Sequence, residues 1–568
     1  MKALPVAAAA LVLLAAAAPA YGANAYGPGC DPSREVTPPG PVVCAMETGY
    51  ATSETSIAIT NTGAVFFSPA HTENSVARST DEGATWNLTY PPDQQYTALW
   101  NTVDPQFAVD RRTGRLFWIH ATGHLRTAPF LVSQSPLPWE ATTAIAYASG
   151  FQVYGTSDDG GTWKTADYSN EQMGDWEKVI VGPPVKDGPQ PQGYPNVVYV
   201  CANSPFEVSG PGRLCYRSLD GGATFARAGY VFPSPSSPVD ACPALATNTG
   251  VVTSDGAIYQ PVSCEAGSFL AVSRDEGATY EWIAMKDAPP ANALSGSLQV
   301  VADSADTLYA TWQEGDAVKW EVSRDAGKTW TKPRVATLPD VKGTLFPAPA
   351  AGARGQFGIA YYGSTKAGAD KLTAYMSATQ DALAGEPVFH HAAINDPAKP
   401  EFHSYGFDAT PRVDYIGAAW DPSGSFWAGA IRQLGEPNEA NRIATTGLVG
   451  RLVWVADQGR PAPGGATLTG GRPKASSCVG RRRLIFRLGP IRGGRVVRAE
   501  VFVNGRRVLS RRGRRLTRVA FTRPRGSRLV VRIVTTNNFG GKVVTVRTYR
   551  GCKRSRLKSR QIRRPGRP

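Results

Sequence analysis

Short apolar runs, separated by turns rich in Gly, Pro, Asn and Asp, follow one another from about residue 48 to residue 457. Typical pairs of runs are TSIAIT and AVFFSPA, SLQVVAD and TLYATWQ, and DYIGAAW and FWAGAIR. Runs this short, with no sustained apolar period of 3.6 residues, predict β-strands rather than helices. Counted as strand pairs, they form about seven units that repeat every roughly 45–75 residues, a period typical of a β-propeller with about four strands per blade.

One turn motif recurs five times in this region, as STDEGATW, TSDDGGTW, SLDGGATF, SRDEGATY and SRDAGKTW. Its Asp can accept hydrogen bonds from backbone N–H groups of the turn, and its Gly can adopt a positive φ at low steric cost. Its last residue is an aromatic, which can pack between sheets. The structural residues of the motif are Asp81, Asp158, Asp220, Asp275, Asp325, Trp86, Trp163 and Trp330.

The motif S/T-x-D-x-G-x-T-W resembles the Asp box, or BNR repeat, of secreted bacterial members of the sialidase superfamily, and the resemblance covers about residues 50–455. It implies an all-β fold, which we predict to be a seven-bladed β-propeller. Six blades, as in sialidases, is the alternative, because the last two units lack the motif. The resemblance also implies that the boxes lie between the third and fourth strands of the blades, away from the active site.

The starts of the innermost strands surround one mouth of a propeller channel, and these positions are rich in acidic residues. RVDYIGAA resembles the G-D-Y-x-G-x-A strand of secreted bacterial relatives, with Val413 in place of its Gly. The candidate catalytic residues are Asp104, Asp414 and Tyr415, and the candidate ligand-binding residues are Glu54, Asp240 and Arg412. Such a ring could bind a sugar, a cationic group or a cation, or two carboxylates could act as acid and base on a glycoside. The alternative is that these side chains only cap strand ends.

Two classes of function therefore compete. Sialidases clamp the substrate carboxylate with three arginines, the first from an F/Y-R-I-P motif that this sequence lacks. A glycan-binding propeller without catalysis, or one very divergent from the enzymes, is favoured for this reason. The alternative is an exo-acting glycoside hydrolase of the exo-α-sialidase type, so the sequence leaves open whether the protein is an enzyme. No cofactor is expected, apart from a cation that the channel could hold, and no metal site is assigned.

The first 25 residues combine one Lys, an apolar run and small residues, as in a secretory signal peptide. No later apolar stretch is long enough to span a membrane. The eight cysteines fit an exported chain, and the simplest pairing joins sequence neighbours, although other connectivities are open. These pairs are Cys30–Cys44, Cys201–Cys215, Cys242–Cys264 and Cys478–Cys552. We expect a secreted bacterial monomer, with cell-wall association as a further expectation.

The formal charge of +15 is unevenly divided. From residue 471 onward, 31 Lys and Arg face one acid, Glu500, which gives +30, while the remaining 30 basic and 45 acidic residues give −15. Alternating strands around Asn504-Gly505 predict a small β-sandwich that resembles the Ig-like modules of exported bacterial proteins. Its expected partners are anionic polymers of the cell envelope rather than nucleic acid, while the propeller is expected to bind a glycan or polysaccharide.

These features divide the chain into six segments. They are a signal peptide (1–25), an N-terminal segment with Cys30 and Cys44 (26–47), the propeller (48–457), a Gly/Pro-rich linker (458–477), the basic sandwich (478–552) and a disordered basic tail (553–568).

Overall fold

The architecture was analysed in a computed structural model of the 568-residue chain. The structure describes residues 26–36, 40–68, 76–89, 100–101, 105–124, 147–165, 177–207, 210–232, 235–239, 249–290, 298–403, 415–435, 444–454, 483–488, 495–503, 506–522, 528–537 and 542–550. All regular elements among these residues are β-strands. The described residues therefore contain no helix long and apolar enough to cross a membrane.

The described part of the chain begins with two antiparallel strands, β1 (Cys30–Glu35) and β2 (Pro41–Glu47). Sheet 1 follows, with β3 (Ile57–Ile59), β4 (Val65–Phe67), β5 (Val76–Ser79) and β6 (Asn87–Thr89). Sheet 2 contains β7 (Trp100–Asn101), β8 (Gln106–Val109), β9 (Leu116–His124), β10 (Tyr147–Thr156) and β11 (Lys164–Thr165). Sheet 3 contains β12 (Lys178–Gly182), β13 (Val197–Glu207), β14 (Gly210–Ser218) and β15 (Ala226–Phe232).

Three further sheets repeat this antiparallel order. Sheet 4 contains β16 (Val251–Val252), β17 (Ile258–Cys264), β18 (Gly267–Ser273) and β19 (Glu281–Ala284). Sheet 5 contains β20 (Gln299–Ala302), β21 (Leu308–Glu314), β22 (Ala317–Ser323) and β23 (Arg334–Val335). Sheet 6 contains β24 (Lys342–Ala351), β25 (Phe357–Ser364), β26 (Lys371–Thr379) and β27 (His390–Ala393), and β28 (Phe402–His403) also pairs with β26.

Sheet 7 joins the two ends of this region. Its strands β29 (Gly417–Trp420), β30 (Phe426–Gln433) and β31 (Thr445–Trp454) are followed by β2 and then β1, in the order β29-β30-β31-β2-β1. The sequence placed residues 26–47 outside the propeller, but the structure incorporates them into this sheet. The pairing of β2 with β31 satisfies backbone groups that would otherwise form an open edge at the junction of the first and last sheets.

The innermost strands of the seven sheets, which we call their first strands, contact one another in a closed cycle, from β3 through β8, β12, β16, β20, β24 and β29 back to β3. In sheet 2, β7 and β8 both pair with β9 and together form this innermost strand. A hydrophobic cluster fills the space between each pair of consecutive sheets, including sheets 7 and 1. Between sheets 1 and 2, for example, Phe66 packs with Trp118 and Trp163. The predicted all-β fold is confirmed. The described residues of this region form seven sheets, and the number of blades stays a prediction.

Two of the predicted disulfides are present in the described residues. Cys30–Cys44 joins opposed residues of β1 and β2, and Cys201–Cys215 joins opposed residues of β13 and β14. Cys264 also forms a disulfide, while its predicted partner Cys242 lies outside the described residues. The predicted Cys478–Cys552 pair lies outside them as well, as do the signal peptide, the linker and the basic tail.

The C-terminal part contains two further antiparallel sheets. One has the order β34-β33-β36-β37, with β33 (Val496–Val503), β34 (Arg506–Arg512), β36 (Arg528–Asn537) and β37 (Lys542–Arg550). The other pairs β32 (Arg483–Arg487) with β35 (Arg518–Thr522). Both sheets contribute to one apolar core that includes Phe486, Val501, Phe521 and Ile533. The predicted hairpin is formed, since Val503 pairs with Arg506 across the two intervening residues.

Candidate functional site

The candidate site lies where the first strands of sheets 1–7 begin. Each sheet starts with its innermost strand and alternates antiparallel strands outward, so the starts of these strands lie around one mouth of the ring. We call this the Tyr415 mouth, after a residue that contacts the strand starts of two other sheets. The turns after the first and third strands lie at the opposite end of the sheets.

Tyr415 lies two residues before β29, and its side chain contacts residues of two other sheets. Its hydroxyl donates a hydrogen bond to the carbonyl oxygen of Pro105, immediately before β8, at 3.3 Å. Its ring centroid lies 4.9 Å from Nζ of Lys178, the first residue of β12. An ammonium over an aromatic ring at this distance is attracted to the ring's negative face. One side chain thus connects strand starts of sheets 7, 2 and 3.

Sequence analysis missed the charged pair at the start of β12. Glu177 and Lys178 are 0 % and 3 % exposed, so an adjacent acid and base are both withdrawn from solvent at this mouth. Burial of charged groups is costly unless they are paired or hydrogen-bonded, and such groups are enriched at functional sites. The sequence WEKVIVG could have indicated this part of the site, because Glu177 and Lys178 lie at the start of an innermost strand, as Glu54 and Tyr415 do.

Glu54 lies in the loop that precedes β3 and is also buried. Polar side chains of this loop are bonded to neighbouring strands: the Thr55 hydroxyl donates to the carbonyl of Gly429 at 2.7 Å. The Ser56 hydroxyl accepts the backbone N–H of Phe107 in β8 at 3.2 Å. These bonds hold the loop against sheets 7 and 2, and therefore hold Glu54 at the Tyr415 mouth.

A further cation that the sequence did not suggest is buried near this mouth. Arg213 in β14 is completely buried between sheets 3 and 4, and its Nη2 donates to Oε1 of Gln260 in β17 at 3.3 Å. Burial lowers the pKa of Arg213 to about 9. Nothing in its local sequence, PGRLCYRS, distinguishes it from the exposed arginines of other hairpins, since only the packing of two sheets buries it.

Four of the six sequence-predicted site residues cannot be placed. Asp104, Asp240, Arg412 and Asp414 lie outside the described residues. The structure brings the other two, Glu54 and Tyr415, to the same mouth. The predicted channel cation therefore stays a prediction, and the described residues contain no group of three or more His, Cys, Asp or Glu side chains that could hold a metal ion.

At the opposite end of the channel, Arg111 follows β8 and spans two other innermost strands. Its Nη1 donates to the carbonyl of Ile59 at the end of β3, at 2.7 Å, and its Nη2 donates to the carbonyl of Trp420 at the end of β29, at 2.9 Å. The guanidinium thus joins the ends of three neighbouring innermost strands and satisfies two strand-end carbonyls.

The five repeated motifs form turns between the third and fourth strands of sheets 1–5, which we call the Asp-Gly-Thr turns (79–86, 156–163, 218–225, 273–280 and 323–330). In the first, Oδ1 of Asp81 accepts the Ser79 hydroxyl at 2.8 Å and the Thr85 N–H at 3.0 Å, and Oδ2 accepts the Thr85 hydroxyl at 2.7 Å. The predicted positive φ is confirmed, with 87° at Gly83. These turns lie at the end of the sheets opposite to the Tyr415 mouth.

The bonds within the turns also set the ionisation of their carboxylates. Partial burial acts to raise the pKa of Asp81, but hydrogen bonds from Thr85 and Ser79 outweigh it, and the pKa lies below its ordinary value. At the exposed Asp325, the hydroxyl and N–H of Thr329 and the hydroxyl of Ser323 lower the pKa to about 2. These carboxylates are ionised and fully engaged, which suits a structural role and not proton transfer.

The turns are also bonded to the preceding sheet through the residue after the Asp, which has a positive φ. Glu82 (φ 62°) forms an ion pair of 2.9 Å with Arg451 of sheet 7. The Glu276 side chain is 0 % exposed and accepts Arg217 at 3.4 Å and the N–H of Val185 at 3.2 Å, both in or beside sheet 3. The sequence identified the turns but not these inter-sheet bonds.

No family model matches the chain, and no curated protein matches it. Among solved structures, it is similar to a protein of unknown function from Dyadobacter fermentans, with 13% identity over 75% of this chain and 100% of that one, at a TM-score of 0.36. It is also similar to the NanB sialidase of Streptococcus pneumoniae, with 12% identity over 72% of this chain and 70% of that one, at a TM-score of 0.37. A leech intramolecular trans-sialidase is similar as well, with 13% identity over 67% of this chain and 65% of that one, at a TM-score of 0.34. The superpositions are loose, so the assignment of the fold rests on the sheets described above.

Proposed function

We propose that this protein is a secreted Asp-box propeller of the sialidase superfamily that binds a glycan at the Tyr415 mouth. The observation that supports this function is the contact of Tyr415 with Lys178 and Pro105, which places an aromatic ring and an ammonium together at the mouth. Glu54 and Glu177 bring two buried carboxylates to the same mouth. Binding pockets combine apolar surface with a few polar groups in this way.

The test uses a glycan array probed with the full chain, followed by titration of the glycan that is retained. We expect Lys178→Met to weaken that binding by about tenfold or more, because it removes the ammonium and keeps the length of the side chain. Lys328→Met is the matched control, because Lys328 is exposed and lies in an Asp-Gly-Thr turn, at the end of the sheets opposite to the Tyr415 mouth. Equal affinities of both variants and the parent protein would contradict the proposed site, as would an array that retains no glycan.

The second candidate function is an exo-acting glycoside hydrolase of the sialidase type. It is supported by a Tyr at the mouth, because sialidases use a Tyr nucleophile. In this scheme Tyr415 is near the reacting carbon and Asp104 or Asp414 is the acid. Release of the aryl group from an aryl-sialoside or another aryl-glycoside, lost in Asp414→Asn, would establish the enzyme. Retention of a glycan without turnover of any aryl-glycoside would establish binding alone.

The basic C-terminal module supplies a second part of the proposed function. Its charge of +30 against −15 for the rest of the chain supports attachment to anionic polymers of the cell envelope. Disulfides in the described residues suit the oxidising exterior of a cell. A fragment of residues 471–568 is expected to bind a heparin resin and to elute with a steep dependence on salt, whereas the propeller fragment is expected to pass through.

A further inference from the structure

The densest group of exposed arginines in the described residues lies along β34 and the turn that follows it. Seven arginines are exposed within 13 residues, and no acidic residue follows Glu500 in the sequence. They are Arg506, Arg507, Arg511, Arg512, Arg514, Arg515 and Arg518. We call these residues the arginine edge.

The fold places them at a sheet edge. Among the described residues, β34 pairs only with β33, so no described strand pairs with its other edge. Arg507 is opposite Phe502 and Arg512 is opposite Arg498, on the face turned away from the core. Arg511 is opposite the buried Ala499 and yet is itself exposed, so both faces of the edge strand carry guanidinium groups into solvent.

The only acid of this region organises part of the edge. Glu500 is 17% exposed and forms ion pairs of 3.1 Å with Arg498 and with Arg507. The Arg507 side chain remains 60% exposed, so its guanidinium is held by the carboxylate while the side chain stays open to a ligand. A fixed guanidinium loses less side-chain entropy on binding than a free one.

The spacing and chemistry suit a linear polyanion. β34 carries one arginine pair at its start, Arg506-Arg507, and another at its end, Arg511-Arg512. The pairs are five residues apart, about 16 Å at about 3.3 Å per residue. The region from residue 471 onward holds 27 Arg and only 4 Lys. Guanidinium groups match phosphate oxygens in a two-point geometry that an ammonium cannot provide.

We propose that the arginine edge is a built binding surface for a linear phosphate-bearing polymer, which would run along β34 and contact both arginine pairs. This inference rests on the proposed attachment of the module to anionic polymers and adds where and how attachment occurs. It differs from attraction by net charge alone, in which every arginine of the +30 region contributes equally.

The experiment compares two variants of the full chain that lose the same charge. The edge variant combines Arg506→Gln, Arg507→Gln, Arg511→Gln and Arg512→Gln. The tail variant combines Lys553→Gln, Arg554→Gln, Arg556→Gln and Lys558→Gln. Binding to immobilised inorganic polyphosphate is measured across a salt series, and thermal unfolding verifies that both variants fold as the parent does.

We expect the edge variant to bind polyphosphate at least about tenfold more weakly and with a shallower salt slope, since about four contacts are lost. The tail variant should change by less than about twofold. Equal weakening of the two variants would overturn the arginine edge while leaving attachment by net charge intact. Failure of the parent to bind any polyanion at low salt would instead refute the proposed attachment itself. Tighter binding to heparin than to polyphosphate would overturn the assignment of phosphate.

Discussion

The two ends of the propeller are built from residues of different kinds. One end carries the Asp-Gly-Thr turns, and the other is the Tyr415 mouth. At the turn end, the same hydrogen bonds recur in five sheets, around Asp81, Asp158, Asp220, Asp275 and Asp325. At the mouth, the contact of Tyr415 with Lys178 and Pro105 joins one particular residue from each of sheets 7, 3 and 2. A repeated feature serves every sheet and therefore stability, whereas an unrepeated one can serve a single ligand.

This contrast leads us to expect that changes at the turn end alter stability and spare binding, and that changes at the mouth do the opposite.

Acid should destabilise the turn end as a whole. Hydrogen bonds lower the pKa of Asp325 to about 2, and the pKa values of the other four turn carboxylates are also lowered. A pKa below the unfolded value stabilises the fold above about pH 4, and this stabilisation is lost as the pH falls toward about 2. We expect the melting temperature to drop steeply over this range. Asp325→Asn should make the drop shallower, and an unchanged pH profile in that variant would contradict the assignment.

Glu276→Ala should produce the largest loss for a single substitution. The buried carboxylate accepts Arg217 and the N–H of Val185, so its removal leaves both without this acceptor at the boundary of sheets 3 and 4. We expect the free energy of unfolding in urea to fall by about 3 kcal/mol. Glu281→Ala is the control, because its ion pair with Arg274 is exposed and worth less than about 1 kcal/mol. Similar losses in the two variants would show that the inter-sheet bond contributes little.

Asp275→Ala, one residue earlier, should cost about 1 kcal/mol. It removes bonds from the Thr279 N–H, at 2.9 Å, and from the Thr279 and Ser273 hydroxyls. Thr279 is exposed and can bond to water instead, and the buried Ser273 hydroxyl still accepts the Gly277 N–H at 2.8 Å. Asp287→Ala, at an exposed position of the same sheet, is expected to leave the free energy of unfolding unchanged. If Asp275→Ala lowered the free energy of unfolding more than Glu276→Ala does, the greater burial of Glu276 would not explain the size of these losses.

Tyr415→Phe should have the smallest effect on stability and a measurable effect on binding. It removes one hydrogen bond to Pro105 and keeps the ring beneath Lys178, so we expect less than about 0.5 kcal/mol in urea unfolding. Affinity for the retained glycan should fall several-fold if the hydroxyl contacts the sugar. A stability loss above that of Asp275→Ala, with unchanged binding, would assign Tyr415 to the structural framework.

The sequence predicted the turn end well because its interactions are local. Each Asp-Gly-Thr turn closes its hydrogen bonds within eight residues, so residue type and spacing are sufficient to identify it. The same locality predicted the two disulfides that lie between opposed residues of one hairpin, Cys30–Cys44 and Cys201–Cys215. It also predicted the hairpin between β33 and β34. These features need only a strand, a turn and a return strand.

The mouth could be predicted only in part. Its position followed from the strand starts, and Glu54 and Tyr415 were identified in this way. Glu177 and Lys178 were missed, although they occupy the equivalent position of sheet 3, because a charged pair before an apolar strand is common on surfaces. Arg213 had no local signal, since its burial depends on the packing of sheet 4 against sheet 3.

The sequence by itself thus determined the all-β class, the repeated turns and the division between an acidic propeller and a basic module. These properties follow from alternation of apolar residues, turn chemistry and the count of charges. Only the tertiary structure decided that β1 and β2 complete sheet 7, that Glu276 bonds to sheet 3 and that Tyr415 meets Lys178. Each of these contacts joins segments distant in the chain, and they meet only because the closed ring of sheets brings their ends together.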